Sequence, residues 1–271
     1  MNTAERIGAN LIWLAEVDST NTYLKDRMDD PALPHGTAVY TDCQTAGKGR
    51  RGNRWGGDAP NVMNRPGASL ALSFLLRGTP VEDMGILPLL AAIAVCRGLK
   101  ELHPSLEFGI KWPNDIICRG KKLCGILCES RITPEGAGGA VGAVCGIGVN
   151  LTQTQEELDA AGLPHAISLG IALEGREKGQ NAPEPAARAI LAAFDRVYGE
   201  YRREGFENLL REYKERCVTL GREVRVLRDR ETQEGVAVDI TPLGELACVI
   251  EGKVQVVRSG EASVRGLYGY I

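Results

Sequence analysis

The sequence lacks several features that would place it in familiar protein classes. No basic N-terminal stretch precedes an apolar core, and no run approaches the roughly 18 apolar residues of a membrane-spanning helix. Aromatic residues make up only 5% of the chain and the formal net charge is -3, which disfavours broad electrostatic binding to nucleic acid and aromatic stacking on RNA. These absences predict a cytoplasmic protein that binds neither DNA nor a membrane.

The eight cysteines and three histidines also lack a recognisable pattern. No CxxC pair is present, and several cysteines lie in apolar, strand-like runs, so we expect reduced, buried thiols rather than disulfides or a zinc site. His35, His103 and His165 each adjoin a proline and have no HExxH or triad-like setting. They are therefore expected to be loop residues.

The pattern along the chain changes near its C-terminal fifth. Strands are predicted at residues 11–17, 37–42 and 69–76, a buried helix at 84–102, and amphipathic helices within 182–217. After Cys217, short alternating strands separated by turn residues indicate a small β-barrel or sandwich of roughly fifty residues. We place the boundary near Thr219, which gives a first domain at residues 1–218 and a second domain at 219–271.

A glycine-rich basic loop, QTAGKGRRGNRW, spans residues 44–55. Glycines allow backbone N–H groups to approach phosphate oxygens, and Lys48, Arg50 and Arg51 can neutralise negative charge there. The loop lacks the GxxxxGK[ST] spacing of a P-loop. A solvated basic turn is the alternative interpretation.

Two polar turns could add to such a site. In KWPND, residues 111–115, Asp115 can hold Mg²⁺ or ribose hydroxyls, or the segment can be an Asx-type turn between two strands. In DSTN, residues 18–21, the short polar side chains can cap a helix or bind the polar head of a ligand.

A third candidate is the lysine that follows the predicted hairpin turn at residues 119–121. Strand alternation places Lys122, Cys124 and Ile126 on one face, with Gly125 on the opposite face or at a bulge. Lys122 then points either to solvent or into a site.

Together these motifs resemble those of the biotin–protein ligases. GKGRRG (residues 47–52) is similar to the family's GRGRRG, KWPND is intact, and KLCGILCE (122–129) is similar to KLxGIL-E. DSTN (18–21), GIGVN (146–150) and GEASVRG (260–266) also match, so the resemblance covers nearly the whole chain.

The resemblance implies an α+β fold: a class II tRNA-synthetase-like catalytic domain with a mixed, mainly antiparallel sheet, followed by a small SH3-like β-barrel. It also implies a two-step reaction. Biotin and ATP, with Mg²⁺, would form biotinyl-5′-AMP, and biotin would then pass to a lysine of the biotin carboxyl carrier protein of acetyl-CoA carboxylase or of another biotin-dependent carboxylase.

The family motifs assign a role to each matching position. The residues implied to be catalytic are Arg50, Lys122, Asp115 and Lys111, with Asp115 also a metal ligand. The residues implied to bind biotin or nucleotide are Ser19, Thr20, Asn21, Gln44, Gly47, Lys48, Gly49, Arg50, Arg51, Trp55, Asn114, Lys122, Gly125, Gly146, Gly148 and Asn150. Trp55 is expected to pack over the adenine, and the basic loop is expected to order when the intermediate supplies a phosphate.

Three positions depart from the family pattern. Lys48 replaces an arginine and cannot make a bidentate phosphate contact, Thr45 stands where a second glutamine is common, and Cys124 stands where a small residue is usual. Some family members begin with a DNA-binding winged helix. Because DSTN starts at residue 18, we expect a short form without that domain.

The sequence leaves other questions open. Family members often dimerise by sheet extension, so a homodimer is compatible with the sequence, but no local feature decides it. A lipoate–protein ligase and a non-catalytic biotin-binding regulator are the alternative functions. KWPND and the paired arginines of the loop favour biotin over lipoate, whereas the intact Lys122 and Asp115 favour catalysis.

Overall fold

The structure is a computed structural model that describes residues 6–56, 64–131, 140–175, 181–228, 231–259 and 263–266, together with Tyr270. Its first sheet contains strands β1–β7, at Leu11–Trp13, Ala38–Thr41, Ser69–Pro80, Gly109–Lys111, Asp115–Cys118, Lys121–Arg131 and Ala140–Asn150. The helices α1–α6 are Thr20–Asp26, Leu87–Leu102, Gln155–Ala160, Leu169–Ala172, Pro183–Glu204 and Glu207–Arg216. A second sheet contains β8–β12, at Glu223–Arg228, Glu231–Ile240, Leu246–Ile250, Lys253–Val257 and Ser263–Gly266.

The first sheet is mixed and mainly antiparallel, as predicted. Its strand order is β1-β2-β3-β7-β6-β5-β4, and within the described residues only the β1–β2 pairing is parallel among its named strands. The long strands β3, β7 and β6 lie side by side in the interior of the sheet. Residues on these strands are therefore held by hydrogen bonds on both sides of each strand.

Helices α2 and α5 pack together and form much of the core. Residues are buried all around α2, as its continuous apolar sequence predicts. Close approach of the two helices depends on Gly98, because a Cβ there would lie 2.8 Å from the Ala189 carbonyl oxygen. Arg97 adds a polar link, since its guanidinium forms ion pairs with Glu200 and Glu212.

The second sheet is antiparallel, with strand order β11-β10-β9-β8-β12. Segments next to this sheet are joined to the first part of the chain through Trp112. The Trp112 backbone N–H donates to Thr219 Oγ1 at 3.0 Å, and its indole Nε1 donates to the Gly244 carbonyl oxygen at 3.0 Å. Both bonds are buried, so the turn that contains Trp112 is fixed by Thr219, which precedes β8, and by Gly244, which lies between β9 and β10.

Most predicted elements are present, with altered ends. The strand predicted at 11–17 stops at Trp13, and Val17 makes only an isolated parallel bridge to Gln44. The helix predicted at 84–102 begins at Leu87, because Val81–Gly85 forms a 3₁₀ turn and a proline occupies the first helical turn. Helix α4 was not predicted. Among the described residues, we find no helix with both the length and the apolar character needed to cross a membrane.

Candidate active site

A cavity of about 220 Å³ lies between the basic loop, the start of α1 and the interior strands of the first sheet. Its described lining brings together residues from every predicted motif except the last, of which only residues 263–266 are described. Its described lining residues are Ser19, Thr20, Asn21, Gln44, Lys48, Gly49, Arg50, Arg51, Asn53, Arg54, Trp55, Ala71, Asn114, Asp115, Lys122, Gly125, Ile126, Leu127, Gly146, Ile147 and Gly148.

One end of the cavity is a buried hydrogen-bond network at the start of α1. Ser19 is the N-cap of this helix and its side chain accepts from the Thr22 N–H, so the capping interpretation of DSTN is correct for Ser19. Thr20 donates from both its backbone and its hydroxyl to Gln44 Oε1, at 2.9 and 3.2 Å. The segment therefore caps a helix and lines the cavity at the same time.

Ser73 and Asn21 complete this network. The Ser73 hydroxyl lies 2.7 Å from Thr20 Oγ1 and 2.6 Å from Asn21 Oδ1. Asn21 Nδ2 donates to the Leu127 carbonyl oxygen and to Glu129 Oε2. These bonds fix the polar side chains and join α1 to the interior strands, although the sequence motifs gave no indication of Ser73.

The floor of the cavity is formed by glycines on β6 and β7. Gly125 and Gly148 pair directly across the two strands. A Cβ at Gly148 would lie 2.5 Å from the Trp55 ring, and a Cβ at Gly125 would lie 3.1 Å from it. A Cβ at Gly146 would lie 2.1 Å from Asn21 Oδ1. Because these glycines have no side chain, the Trp55 indole and the Asn21 amide can pack directly against the backbone of the sheet.

Trp55 lies over this floor, and its Nε1 is buried with no hydrogen-bond partner among the described residues. The loop that carries it is closed by its own backbone. Gly49 N–H donates to the Asn53 carbonyl oxygen, and Trp55 N–H donates to that of Gly47. Arg51 has a φ of 56° within the turn between them, a left-handed conformation that is uncommon for arginine.

The basic side chains of the loop bind different parts of the chain. Lys48 Nζ donates to the Thr22 hydroxyl of α1 at 2.8 Å. Arg50 donates to Asn114 Oδ1 at 2.9 Å and to the Ser259 carbonyl oxygen. Burial lowers the pKa of the Arg50 guanidinium, and the charge of the nearby Asp115 opposes this shift. Arg50 is thus the loop cation that connects the loop with KWPND and with the C-terminal region.

Lys122 and Asp115 form an ion pair at the cavity wall, with Nζ and Oδ1 2.6 Å apart. Simple alternation would place Lys122 on the face of Cys124 and Ile126, and that prediction is wrong. A bulge changes the register, because Ile116 pairs with Cys124 whereas Ile117 pairs with Lys122. The Lys122 ammonium consequently lies 3.3 Å from the position of a Cβ on Gly125, on the cavity side of the sheet.

The KWPND turn is held by buried bonds on several sides. Asn114 Nδ2 donates to the Ile126 carbonyl oxygen, and Ile126 N–H donates back to that of Asn114. The Tyr213 hydroxyl donates to the Pro113 carbonyl oxygen. The peptide bond between Trp112 and Pro113 is cis. These contacts place Asn114 and Asp115 in the cavity and Trp112 in the core.

Lys111 contacts the site from outside the cavity lining. Its ammonium lies 3.6 Å from the centroid of the Tyr270 ring, and the Tyr270 hydroxyl donates to Asp115 Oδ2 at 2.5 Å. Burial lowers the pKa of Lys111 to about 8. Asp115 opposes this shift, and the positive charges of Lys122 and Arg265 add to it.

The donor set does not fit a magnesium ion held by the protein. Asp115 is the one carboxylate among the described lining residues, and its two oxygens already contact Lys122 and Tyr270. No group of three potential ligands of the His, Cys, Asp or Glu type occurs within the described residues. An ion that enters with the nucleotide would have to take most of its oxygen ligands from phosphate and water.

Three of the predicted site residues do not line the described cavity. Gly47, Lys111 and Asn150 are absent from the described cavity lining. A Cβ at Gly47 would lie 3.2 Å from Trp55 Cβ, and Asn150 donates to the Ile167 carbonyl oxygen, so both support neighbouring segments. Residues that the motifs missed include Ser73, Ser259 and Tyr270, each contributed by a different part of the chain. Residues 260–262 of the last motif lie outside the described residues.

The cysteines follow the prediction made for them. All eight are free thiols, and all except Cys43 and Cys128 are buried. Cys128 and Cys145 face each other across β6 and β7 with their sulfur atoms 3.3 Å apart.

The cavity thus has a glycine floor on a mixed sheet and a cationic loop over it, an arrangement suited to a ligand that carries negative charge. The family described as Biotin/lipoate A/B protein ligase matches residues 13–150, and the family described as Biotin protein ligase C terminal domain matches residues 219–265. The chain belongs to the biotin protein ligases.

Individual relatives agree with this membership. A biotin–[acetyl-CoA-carboxylase] ligase of Mycobacterium tuberculosis is 33% identical over 266 residues, which span 94% of this chain and 91% of the relative. The bifunctional ligase/repressor BirA of Bacillus subtilis is 30% identical over 89% of this chain and 70% of its own length. A solved biotin protein ligase of Aquifex aeolicus, in complex with biotin and ATP, superimposes with a TM-score of 0.75 at 27% identity and covers 95% of this chain and 99% of its own. The predicted fold class is thus confirmed.

Proposed function

We propose that the chain is a biotin–[acetyl-CoA-carboxylase] ligase, which activates biotin with ATP and transfers it to one lysine of a biotin carboxyl carrier protein. One observation carries this proposal. Arg50, Asp115 and Lys122, from three separate motifs, meet at one cavity whose far end is the polar network of α1. This arrangement suits a ligand with a polar head, a carboxylate tail and a phosphate.

In the first step, a carboxylate oxygen of biotin attacks the α-phosphorus of ATP. The bond between this phosphorus and the bridging oxygen breaks, pyrophosphate leaves, and biotinyl-5′-AMP remains. Negative charge increases around the α-phosphate during this step, and preorganised cations stabilise such a transition state. Lys122 is placed to contact both the carboxylate and the phosphate, because its ammonium lies on the glycine floor beside Asp115. Arg50 approaches from the loop.

In the second step, the neutral amine of the carrier lysine attacks the acyl carbon of the anhydride. The carbon–oxygen bond breaks, AMP leaves with the electron pair, and the nitrogen loses one proton to solvent as the amide forms. Asp115 orients Lys122 in both steps, since the two groups are 2.6 Å apart. Lys111 supplies a further positive charge beside Asp115.

The remaining cavity residues divide into two ligand regions. Ser19, Thr20 and Gln44 offer hydroxyl and amide groups to the ureido ring of biotin. The Trp55 indole lies against Gly125 and Gly148, and the Asn21 amide lies against Gly146, so these glycines shape the biotin side of the cavity through those two side chains. Lys48, Arg51 and Asn114 surround the nucleotide side. Stacking of Trp55 on the adenine and ordering of the loop by the intermediate stay predictions.

Several finer points are inferences as well. We assign residues 1–218 to the catalytic domain and 219–271 to the SH3-like domain, which the separate sheets and the family match from residue 219 support. Mg²⁺ is proposed to enter as part of the nucleotide substrate, because Asp115 alone does not form a site for it. The absence of DNA binding and the cytoplasmic location stay predictions of the sequence.

The proposal is tested by incubating the protein with biotin, MgATP and an apo carrier domain, and by measuring the intact mass of the carrier. We expect the mass to increase by one biotinyl group, and a carrier with its acceptor lysine replaced by arginine should gain nothing. An unchanged mass for the intact carrier would reject the proposed transfer.

Two further arms separate the alternative functions. Replacing biotin with lipoate should give no transfer, and preferential transfer of lipoate would identify a lipoate–protein ligase instead. Release of pyrophosphate from ATP that depends on biotin, measured without a carrier, should be detected. Biotin binding without pyrophosphate release would identify a non-catalytic regulator.

A further inference from the structure

Tyr270 extends from the C-terminal region into the catalytic site, at a point beyond the last sequence motif. Its hydroxyl donates to Asp115 Oδ2 at 2.5 Å, and the Lys111 ammonium lies 3.6 Å from its ring centroid. The ring also stacks near His165, with centroids 6.0 Å apart and planes inclined by 23°. The tyrosine thus contacts three residues that surround Lys122.

The contact with Asp115 has a direct consequence for Lys122. One carboxylate oxygen of Asp115 binds the Lys122 ammonium at 2.6 Å, and the other accepts from Tyr270. Bonds to both oxygens restrict rotation of the carboxylate, and the position of the carboxylate in turn restricts the lysine. His165 contributes from another side, because its carbonyl oxygen accepts from the Lys122 backbone N–H at 2.8 Å.

Tyr270 is suited to permanent hydrogen-bond donation. Burial, together with the negative charge of Asp115, raises the pKa of the phenol well above its ordinary value of 10.0. The hydroxyl therefore stays protonated wherever the enzyme would work. Tyr270 is not among the described lining residues of the cavity, so it supports Asp115 without occupying the space that the lining residues enclose.

From this geometry we infer that Tyr270 is a positioning residue: its hydroxyl fixes Asp115, and through it Lys122, while its ring holds the Lys111 ammonium. The inference rests on the proposed ligase activity. It assigns to the C-terminal region a part in the chemistry of the first step, carried by a residue that none of the recognised motifs contains.

The decisive comparison is between Tyr270→Phe and Tyr270→Leu, because the two variants remove different contacts. Phenylalanine keeps the ring over Lys111 but removes the bond to Asp115, whereas leucine removes both. The rate of biotinyl-AMP formation is measured as biotin-dependent exchange of pyrophosphate into ATP. For Tyr270→Phe we expect kcat to fall about tenfold with KM for biotin and ATP changed less than about twofold, the pattern of a lost positioning bond.

Tyr201→Phe is the matched control. Its hydroxyl donates to Asp83 Oδ1 at 2.6 Å, a bond of the same kind and length that lies outside the cavity lining. This variant should keep the wild-type kcat. The melting temperature of each phenylalanine variant is measured in parallel, because a purely structural role would lower stability without the kcat effect.

The pH dependence of the exchange rate gives a second test, because partial unfolding of a variant would not shift the pH at which its rate falls. Lys111 faces Asp115, Lys122, Arg265 and the ring of Tyr270, and its pKa of about 8 predicts an alkaline limb near that pH. Loss of the aromatic face destabilises the ammonium, so Tyr270→Leu should shift this limb to lower pH by about half a unit to one unit. Tyr270→Phe should leave the limb in place.

The outcomes are distinguishable from failure of the proposed function. If the wild-type protein supports no biotin-dependent exchange, the ligase function fails and the inference fails with it. If the wild type is active and Tyr270→Phe retains full kcat, the function stands and the inference is wrong. A rise in kcat, or a fall in KM, for either variant would also overturn it, since Tyr270 would then obstruct the site.

Discussion

Lys122 Nζ lies 2.6 Å from Asp115 Oδ1, across the bulged pairing of β5 and β6. The two residues come from motifs that are separated by a hairpin turn at Arg119 and Gly120, where φ is 49° and 76°. The turn and the bulge together bring the Asp115 carboxylate and the Lys122 ammonium next to each other at the glycine floor of the cavity. The pair is the structural centre on which the proposed activation of biotin depends.

The first prediction concerns the charge of Lys122. Lys122→Gln removes the ammonium that contacts the carboxylate and the α-phosphate, so we expect biotinyl-AMP formation to slow by about 10²- to 10³-fold. Lys121→Gln is the matched control, because the adjacent lysine binds Gln155 at 2.8 Å and does not line the described cavity. Single-turnover formation of biotinyl-AMP measures both. Equal rates for the two variants would refute the role of Lys122.

The second prediction concerns retention of the intermediate by the loop. Arg50→Gly removes the contacts to Asn114 and Ser259 and a cation beside the phosphate, so release of biotinyl-AMP should accelerate by about tenfold or more. Arg50→Lys keeps the charge but loses the planar fork, and it should give an intermediate rate. The rate is measured by rapid filtration of enzyme loaded with labelled biotin.

Arg119→Gly supplies the control for this release experiment. Arg119 has a positive φ, forms an ion pair with Glu174 and lies outside the described cavity lining. Its replacement should therefore leave release unchanged. The retention role of Arg50 fails if Arg50→Gly holds the intermediate as long as the wild type does.

The third prediction concerns the glycine floor. In Gly148→Ala the added methyl group would lie 2.5 Å from the Trp55 ring, so the indole must move and the floor becomes shallower. We expect the Kd for biotin to rise by about tenfold or more, which corresponds to roughly 1.4 kcal/mol. Gly170→Ala in α4 is the control, because its nearest contact would be 3.4 Å. Calorimetric titration with biotin that gave the same Kd for both variants would contradict the assigned role of the floor.

The fourth prediction concerns Lys111 and pH. Its pKa is lowered by burial from 10.5 to about 8, so below pH 8 the folded protein carries the full cost of a buried ammonium. Between pH 8 and 10.5 the unfolded chain binds more protons, and the contribution of Lys111 to the free energy of unfolding rises with pH. Lys111→Met should therefore raise that free energy by about 1–2 kcal/mol at pH 7 while it abolishes activity.

Urea unfolding at pH 7 and pH 9.5, together with the rate of biotinyl-AMP formation, tests this pair of effects. The stability gain of Lys111→Met should shrink at pH 9.5, since the wild-type lysine is then mostly neutral. A gain that is equal at both pH values would show that the ammonium is not the source of the cost. Full activity in Lys111→Met would remove Lys111 from the proposed chemistry.

Local sequence patterns predicted the elements more accurately than the contacts between them. The hairpin at residues 119–121, the buried α2 and the C-terminal strands all depend on turn residues and apolar periodicity, which are properties of short segments. The bulge that reverses the face of Lys122 depends instead on the register of β6 against β5. Periodicity within one strand contains no information on that register.

In the site, too, the residues within local motifs could be predicted, whereas those brought in by distant elements could not. The motif residues Thr20, Gln44 and Asn114 line the cavity, since each motif is a compact segment with its own geometry. Ser73 and Tyr270 could not be predicted, because each joins the site only through packing of distant elements. The GIGVN motif predicts Asn150 as a site residue; in the structure its amide donates to the Ile167 carbonyl oxygen, and it is not among the described lining residues.

The buried Trp112 has a consequence for how the protein would lose activity. The indole donates a hydrogen bond to Gly244 and the Trp112 backbone donates one to Thr219, so the turn that carries Asn114 and Asp115 is supported by segments next to β8, β9 and β10. Proteolytic cleavage near Gly244 would therefore loosen this turn and displace Asn114 and Asp115, although neither residue is cleaved. Local unfolding of the C-terminal region would then abolish the proposed activity before the first sheet itself unfolds.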